Sequence, residues 1–196
     1  MYNILTGSVK MSSIFGALLI SVNPEILSPW EKITKRIVDV LLSILAILIL
    51  LPVFILLSFL IKTGSKGPII FKQKRIGLYG NPFWIFKFRS MITEAEKDGP
   101  QLSSQNDPRI TAIGKFMRKT RLDETPQFFN VIKGDMAIVG PRPEREYYIE
   151  KIVEKAPHYK HVLKVKPGIT SWGQIKFGYA ENVDEMVARL KFDLLY

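Results

Sequence analysis

Hydrophobic positions are unevenly spread along this chain. Residues 40–61 read VLLSILAILILLPVFILLSFLI, 22 residues without a formal charge and with only Ser43 and Ser58 as polar side chains. A straight helix of that length reaches about 33 Å, close to the hydrocarbon thickness of a bilayer. A buried core helix is the plain alternative, but a small domain rarely surrounds so long an all-apolar helix. Pro52 lies inside the run, where it removes one backbone hydrogen bond and crowds the preceding turn, so a bend is expected there. The arms on either side, residues 40–51 and 53–61, would be about 18 Å and 14 Å long, too short to span alone. Lys32, Lys35 and Arg36 precede the run, and Lys62 and Lys66 follow it. Cations prefer the cytoplasmic face. A single pass would strand one cluster on the far side, whereas a hairpin that dips in and returns keeps both on one face. Both geometries remain open, with the charge pattern favouring the hairpin.

The pattern changes on either side of this run. Residues 1–30 read as an extension of unknown role. Within it, residues 14–22 (IFGALLISV) are a short apolar stretch after Lys10, but Asn23-Pro24-Glu25 follows where a signal peptide would show small residues at a cleavage site. Downstream, residues 68–71 and 83–88 predict two short strands, turned through Gly77, Gly80, Asn81 and Pro82. Residues 94–105 are polar. Ile113, Phe116 and Met117 recur at helical spacing in a segment made basic by Lys115, Arg118, Lys119 and Arg121. Pro126 ends that helix or opens the next one. The second helix is expected to run from Gln127 to Lys133 and to stop at Gly134.

Charge narrows the chemistry. The 196 residues carry 28 Lys+Arg against 18 Asp+Glu, a net +10, so a partner rich in negative charge is expected: phosphate, nucleic acid or anionic lipid. Residues 62–89 hold seven cations and no acid, interleaved with Phe71, Tyr79, Phe83, Trp84, Phe86 and Phe88. Such a surface fits an anionic headgroup layer and equally RNA stacking. At 47% apolar the chain is no disordered tail. The absence of cysteine excludes disulfides, thiolate metal sites and Cys nucleophiles. The two histidines, His158 and His161, share one short stretch, which leaves no multi-His cage and no sign of a Ser–His pair.

Asp123 and Glu124 fall between the two predicted helices. An acid in such a place often merely caps a helix. Three features point further. Two adjacent acids follow four cations within seven residues. Neighbouring side chains on a helix diverge by about 100°, so the pair can play two roles. A helix N-terminus with several Arg nearby suits a phosphate. Carboxylates accept phosphoryl groups, and such transfer needs charge neutralisation by Mg²⁺ or Arg. Arg142, between Pro141 and Pro143, carries a planar fork suited to phosphate on a stiffened loop. A solvated Arg on a rigid loop is the bland alternative. The turn-rich 166–174 loop, with Trp172 and Gln174, could shape a base or sugar pocket or be plain connection.

At this point the chain resembles the bacterial monotopic phosphoglycosyl transferases, the initiating polyprenyl-phosphate sugar-1-phosphate transferases. The matching pieces occur in the family's order: Lys35-Arg-Ile-Val-Asp39, Pro52, Phe71-Lys-Gln-Lys-Arg-Ile-Gly77, Phe86-Lys-Phe-Arg-Ser-Met91, Arg121-Leu-Asp-Glu-Thr-Pro-Gln127, Asn130-Val-Ile-Lys-Gly-Asp-Met136, Val139-Gly-Pro-Arg-Pro143 and Val165-Lys-Pro-Gly-Ile-Thr170. The resemblance implies that a UDP-sugar donates its sugar-1-phosphate to a polyprenyl phosphate, releasing UMP, by a covalent route with Mg²⁺. It makes Asp123 the nucleophile and Glu124 its partner in the dyad, the two together the implied Mg²⁺ ligands. It places Lys87, Arg118 and Arg142 around the substrate phosphates and Pro52 at the break of a re-entrant hairpin. The expected fold is α+β and mainly helical: a re-entrant membrane anchor at 31–62 and a small interfacial catalytic domain at 63–196 with a short β-hairpin. The expected location is the cytoplasmic face of the bacterial inner membrane, at the first step of cell-surface glycan synthesis, with no nucleic acid partner.

Three departures from the family pattern stand out. Leu51 precedes the proline where many members have Ser, the 170–174 loop reads Thr-Ser-Trp-Gly-Gln where many members have Gly then Ala around the aromatic, and the sequence stops at Tyr196 where many members continue with another interfacial helix, so that weaker membrane docking or a truncated gene would follow. Two rival readings remain: a membrane-anchored nucleic-acid-binding module, and an inactive relative serving as a scaffold.

Overall fold

The structure, a computed structural model, describes residues 9–14, 17–22, 28–97, 99–102 and 107–195. Strands β1 (Val9–Ile14) and β2 (Ala17–Val22) pair antiparallel ahead of everything else. Helix α1 then runs from Pro29 to Gly64, 36 residues and about 54 Å if straight. Its start is written in the sequence. Ser28 accepts a hydrogen bond from the Glu31 amide, Glu31 accepts one from the Ser28 backbone amide, and Pro29 occupies the first turn. The helix therefore begins well before the apolar run.

Helical backbone continues through Pro52, where the missing hydrogen bond and local crowding permit a bend without ending the element. Proline's φ is compatible with a helix, and its cost is one missing hydrogen bond and local crowding, which a long helix can absorb. Among the described residues α1 is the one helix long and apolar enough to cross a membrane. Only Asp39 and Ser43 before Pro52 and Leu57 and Ile61 after it are buried on this helix, while Leu41, Leu45, Leu48, Ile49, Ile55 and Phe59 stay exposed.

Both ends of α1 dock on the domain that follows. Strands β3 (Ile70–Ile76) and β4 (Pro82–Phe88) form an antiparallel hairpin in register from Ile70↔Phe88 to Ile76↔Pro82. The turn between them closes through Gly77 N–H to Asn81 O, at 2.9 Å. Helices α2 (Ala112–Thr120) and α3 (Gln127–Lys133) follow, with Gly134 in the left-handed conformation (φ 102°) ending α3 as expected. Leu57 and Ile61 of α1 pack with Phe88 and Met117, and Phe54 meets Phe88 edge-on at 5.3 Å. Beneath the hairpin, Phe83 and Ile85 meet Val131 and Met136.

Strands β5 (Ala137–Val139) and β6 (Gly168–Thr170) form a short parallel pair. Between them lie α4 (Glu146–Lys155) and a 3₁₀ stretch, Pro157–Lys164. After them come α5 (Trp172–Lys176) and α6 (Val183–Asp193). Tyr148 and Ile152 of α4, Tyr159 and Val162, and Met186 and Leu190 of α6 make a separate apolar cluster, while Ile138 of β5 and Ile169 of β6 pack against the Phe83 cluster.

Candidate active site

The acidic pair owes its placement to a tight turn. Arg121 ends α2 in the left-handed region (φ 60°, ψ 15°), which is uncommon for a residue with a Cβ. The chain then makes a single 3₁₀ turn, Leu122–Glu124, before Pro126 opens α3. Neither acid serves as the cap of α3, since Pro126 holds that position without a side-chain bond. Both carboxylates point inward: Asp123 is 7% exposed and Glu124 5%.

Glu124 is held by cations from three other segments. Its Oε1 accepts from Lys87 Nζ of β4 at 2.7 Å and from Arg142 Nη2 at 3.1 Å. Arg121 approaches Oε2 at 3.7 Å. Burial alone would raise the Glu124 pKa, but Lys87 and Arg142 reverse this and hold it far below the usual carboxylate range. Arg142 is in turn pushed above its ordinary value: burial opposes its charge, and Glu124 and Glu144 more than restore it.

Asp123 has the opposite environment. Its Oδ1 is buried and has no hydrogen-bond partner among the described residues. Burial pushes its pKa up; Lys87 counters, Glu124 adds to the rise, and Arg118 and Arg142 pull it down without cancelling it. Arg118 acts on Asp123 through its field, while its Nε donates to Ser90 Oγ at 3.1 Å. The structure thus brings Lys87 and Arg142 onto Glu124 and sets Arg118 in the charge field of Asp123. One carboxylate is tied and ionised; its neighbour is desolvated with an oxygen to spare. Two carboxylates with divergent pKa values are a recurring sign of divided acid–base or nucleophilic roles.

Several supporting residues carry no signal in the sequence. Glu144 is 4% exposed and bridges Arg75 at 3.1 Å and Arg189 of α6 at 2.6 Å. Arg75 also donates to the Pro143 carbonyl, at 3.1 Å, so this buried cluster grips the loop that carries Arg142. Asp193 extends it, accepting from the Gly173 amide at 2.9 Å. Tyr179 lies over the guanidinium of Arg121, with its centroid 4.1 Å away, and of Arg142, at 5.7 Å; its hydroxyl accepts from Arg121. A cavity of about 10 Å³ lies against Arg142, lined by Gly77, Pro141, Tyr159 and Val165; Asp123 does not line it. Phe116, Phe129, Ile175 and Phe177 are apolar and exposed elsewhere on the domain.

A buried acidic pair ringed by Lys and Arg lies in a domain that follows a long, exposed apolar helix. The chain belongs to the bacterial sugar transferase family, whose pattern matches residues 30–196. It is 40% identical over 192 residues, 98% of this chain and 45% of the relative, to the UDP-N-acetylgalactosamine-undecaprenyl-phosphate N-acetylgalactosaminephosphotransferase of Aeromonas hydrophila. It is 39% identical over 198 residues to the UDP-glucose:undecaprenyl-phosphate glucose-1-phosphate transferase of Escherichia coli strain K12, covering 100% of this chain and 42% of the relative. A protein of the same description from Klebsiella pneumoniae is 38% identical over 197 residues, again 100% and 42%. The chain thus spans less than half the length of these relatives.

Proposed function

We propose that this protein transfers a sugar-1-phosphate from a UDP-sugar to a polyprenyl phosphate, releasing UMP, as the first membrane step of a cell-surface glycan. The observation that carries this reading is the unpartnered, buried Oδ1 of Asp123 beside the cations that Glu124 gathers. In the first half-reaction an Asp123 oxygen attacks the phosphorus attached to the sugar. An O–P bond forms to the carboxylate, and the bond to UMP breaks, UMP leaving with the electron pair. In the second half-reaction the phosphate oxygen of the lipid attacks the same phosphorus and releases the free carboxylate. The covalent stage keeps two anionic substrates from having to meet directly.

The residues divide the work. Desolvation raises the basicity of Asp123 and so its strength as a nucleophile, while Lys87, Arg118 and Arg142 oppose the rise. Lys87 and Arg142 stand where charge builds on the transferring phosphoryl group, and Glu124 fixes both in place. Arg118 adds positive field at Asp123. Mg²⁺ fits this donor set, since one or two carboxylates supplemented by substrate phosphates are its usual ligands. Asp123 and Glu124 would hold it, Asp123 through the oxygen not used in attack and Glu124 by sharing one with its cations. When bound, the ion would supply further neutralisation of phosphate charge.

Residues 31–62 serve as the anchor and residues 63–196 as the catalytic unit, on the cytoplasmic face of the inner membrane. Docking at both ends of α1 with a bare apolar middle supports a re-entrant placement with its turn near Pro52. Arg36 and Phe54 are separated by 18 residues, about 27 Å along a straight helix. Yet Arg36 donates to the Val131 and Ile132 carbonyls and Phe54 lies 6.4 Å from Phe129, all three on α3, which is about 10 Å long. The test is UMP release by purified protein with polyprenyl phosphate, Mg²⁺ and a panel of UDP-sugars, together with intact mass after donor alone. A sugar-phosphate adduct that disappears in Asp123→Asn supports the reading. Folded protein that releases no UMP from any donor, or an adduct that survives the substitution, refutes it.

A further inference from the structure

At the end of α3 remote from the acidic pair, cations from three segments converge on the first turns of α1. Lys35 pairs with Asp39 at 2.8 Å, and Lys133 with Asp135 at 3.0 Å. Arg36 donates to the carbonyls of Val131 and Ile132, at 2.5 and 2.8 Å. Lys166, from the loop before β6, closes no ion pair within 4 Å among the described residues. Its ammonium nonetheless lies on the same side of Gly134, as a neighbour of Arg36: a Cβ built on Gly134 would stand 3.6 Å from Arg36 Nη2 and 3.9 Å from Lys166 Nζ. The two acids nearby are already engaged on both sides. Asp39 also accepts from the Ile138 amide at 3.3 Å, and Asp135 from Asn130 Nδ2 at 3.3 Å. Four cations against two acids leave a formal excess of two positive charges, which the carbonyl end of α3 offsets in part at Arg36. Burial first, then Arg36 and Lys35, pull the Lys166 pKa down, while Asp135 and Asp39 oppose the fall. Two like charges meeting at one half-buried spot are unfavourable unless an anion joins them.

We propose that Arg36 and Lys166 form a phosphate-binding site over Gly134 that holds the headgroup of an anionic phospholipid at the base of α1. The phosphate oxygens would take the free N–H groups of Arg36 and the Lys166 ammonium, a charge-assisted geometry that suits a phosphodiester. The apolar half of the ligand follows from the same helix: Ile33, Ile37 and Leu41 are exposed at four-residue spacing, a stripe about 100° around the helix from Arg36. A headgroup there leaves its acyl chains lying along that stripe, which a free phosphate cannot use. This site is separate from the acidic pair, because Glu124 precedes α3 and Arg36 sits on the carbonyls at the far end of α3. The inference rests on the reading of α1 as a membrane anchor, and assigns a lipid-binding role to residues outside the reaction.

The experiment uses the whole chain in a neutral detergent, with short-chain phosphatidylglycerol, phosphatidylcholine and inorganic phosphate as probes, read by native mass spectrometry and by thermal shift. Wild-type protein should retain and be stabilised by phosphatidylglycerol but not by phosphatidylcholine. Lys166→Gln should weaken phosphatidylglycerol binding about tenfold, the loss of one charge-assisted contact, and Lys166→Arg should restore it. Arg36→Gln would also release the α3 carbonyls, so Lys166 carries the test. Equal response to the two lipids, unchanged phosphatidylglycerol binding in Lys166→Gln, or an equal Lys166-dependent response to inorganic phosphate would each overturn the lipid site. UMP release on the same samples separates this inference from the proposed reaction: lipid discrimination without release from any donor supports the site and refutes the reaction, and release without lipid discrimination does the reverse.

Discussion

Replacing Glu124 by Gln preserves the shape of the side chain and removes its charge, leaving Lys87 and Arg142 facing a neutral amide. Both of those cations are largely withdrawn from water, with side chains 16% and 14% exposed. Removing one partner of a buried ion pair costs about 3–5 kcal/mol, because the cations left behind stay desolvated. Arg121 adds little to this figure, since it stands 3.7 Å away and its side chain is 44% exposed. For a chain of this length each kcal/mol moves the melting temperature by about 2–4 °C, so Glu124→Gln should melt roughly 6–20 °C below wild type.

The pH dependence has a definite sign. The folded-state pKa of Glu124 lies below its unfolded value, so its contribution is full above the ordinary carboxylate pKa of about 4.3 and fades as pH falls toward the lower folded value. The gap between wild type and Glu124→Gln should stay constant across neutral pH and close on acidification. Melting followed by circular dichroism or fluorescence in one detergent, across a pH series, measures both. A variant that melts within about 2 °C of wild type at neutral pH, or a gap that widens in acid, would refute the assignment of Glu124 as the ionised anchor of Lys87 and Arg142.

Asp123→Asn should act in the opposite direction on stability. The Asp123 pKa is raised in the folded protein, so its ionised form costs stability as pH rises through that value; the variant should melt above wild type by a margin that grows with pH, and a variant that melts lower in mild alkali would contradict this. Gly168→Ala places a Cβ on the backbone of Gly140 across the β5/β6 pair; a loss of about 1–3 kcal/mol and a fall in UMP release through displacement of Arg142 are expected, and wild-type melting and release would show that the pair has slack.

What the sequence reveals depends on how local the cause is. The stop of α3 at Gly134 and the turn through Gly77, Gly80 and Asn81 follow from neighbouring residues, and both are legible in the sequence alone. The hairpin itself is expected from the sequence, but β3 extends through Lys72, Lys74 and Arg75, a run whose charge hides its pairing with β4. The capping box at Ser28 and Glu31 is equally local, yet hydropathy alone starts the helix later, at the onset of the apolar run. At the site, Asp123, Glu124, Lys87 and Arg142 stand out by charge pattern and family resemblance. The Glu144–Arg189 pair does not, because 45 residues separate its members and α6 shows only the ordinary mix of a surface helix. Tyr179 is likewise a product of tertiary approach, since nothing near it in sequence points to Arg121.

Arg89 ties the helix to the strand that carries Lys87. Its guanidinium reaches the Ile61, Ser65 and Lys66 carbonyls where α1 ends, two residues beyond Lys87 on the same stretch of chain. The dipole at that helix end favours a cation there. Glu124 is thereby linked to the end of the helix through Lys87 and Arg89. With α1 as the proposed anchor, a change in bilayer thickness would tilt the acidic pair together with the helix rather than slide one past the other.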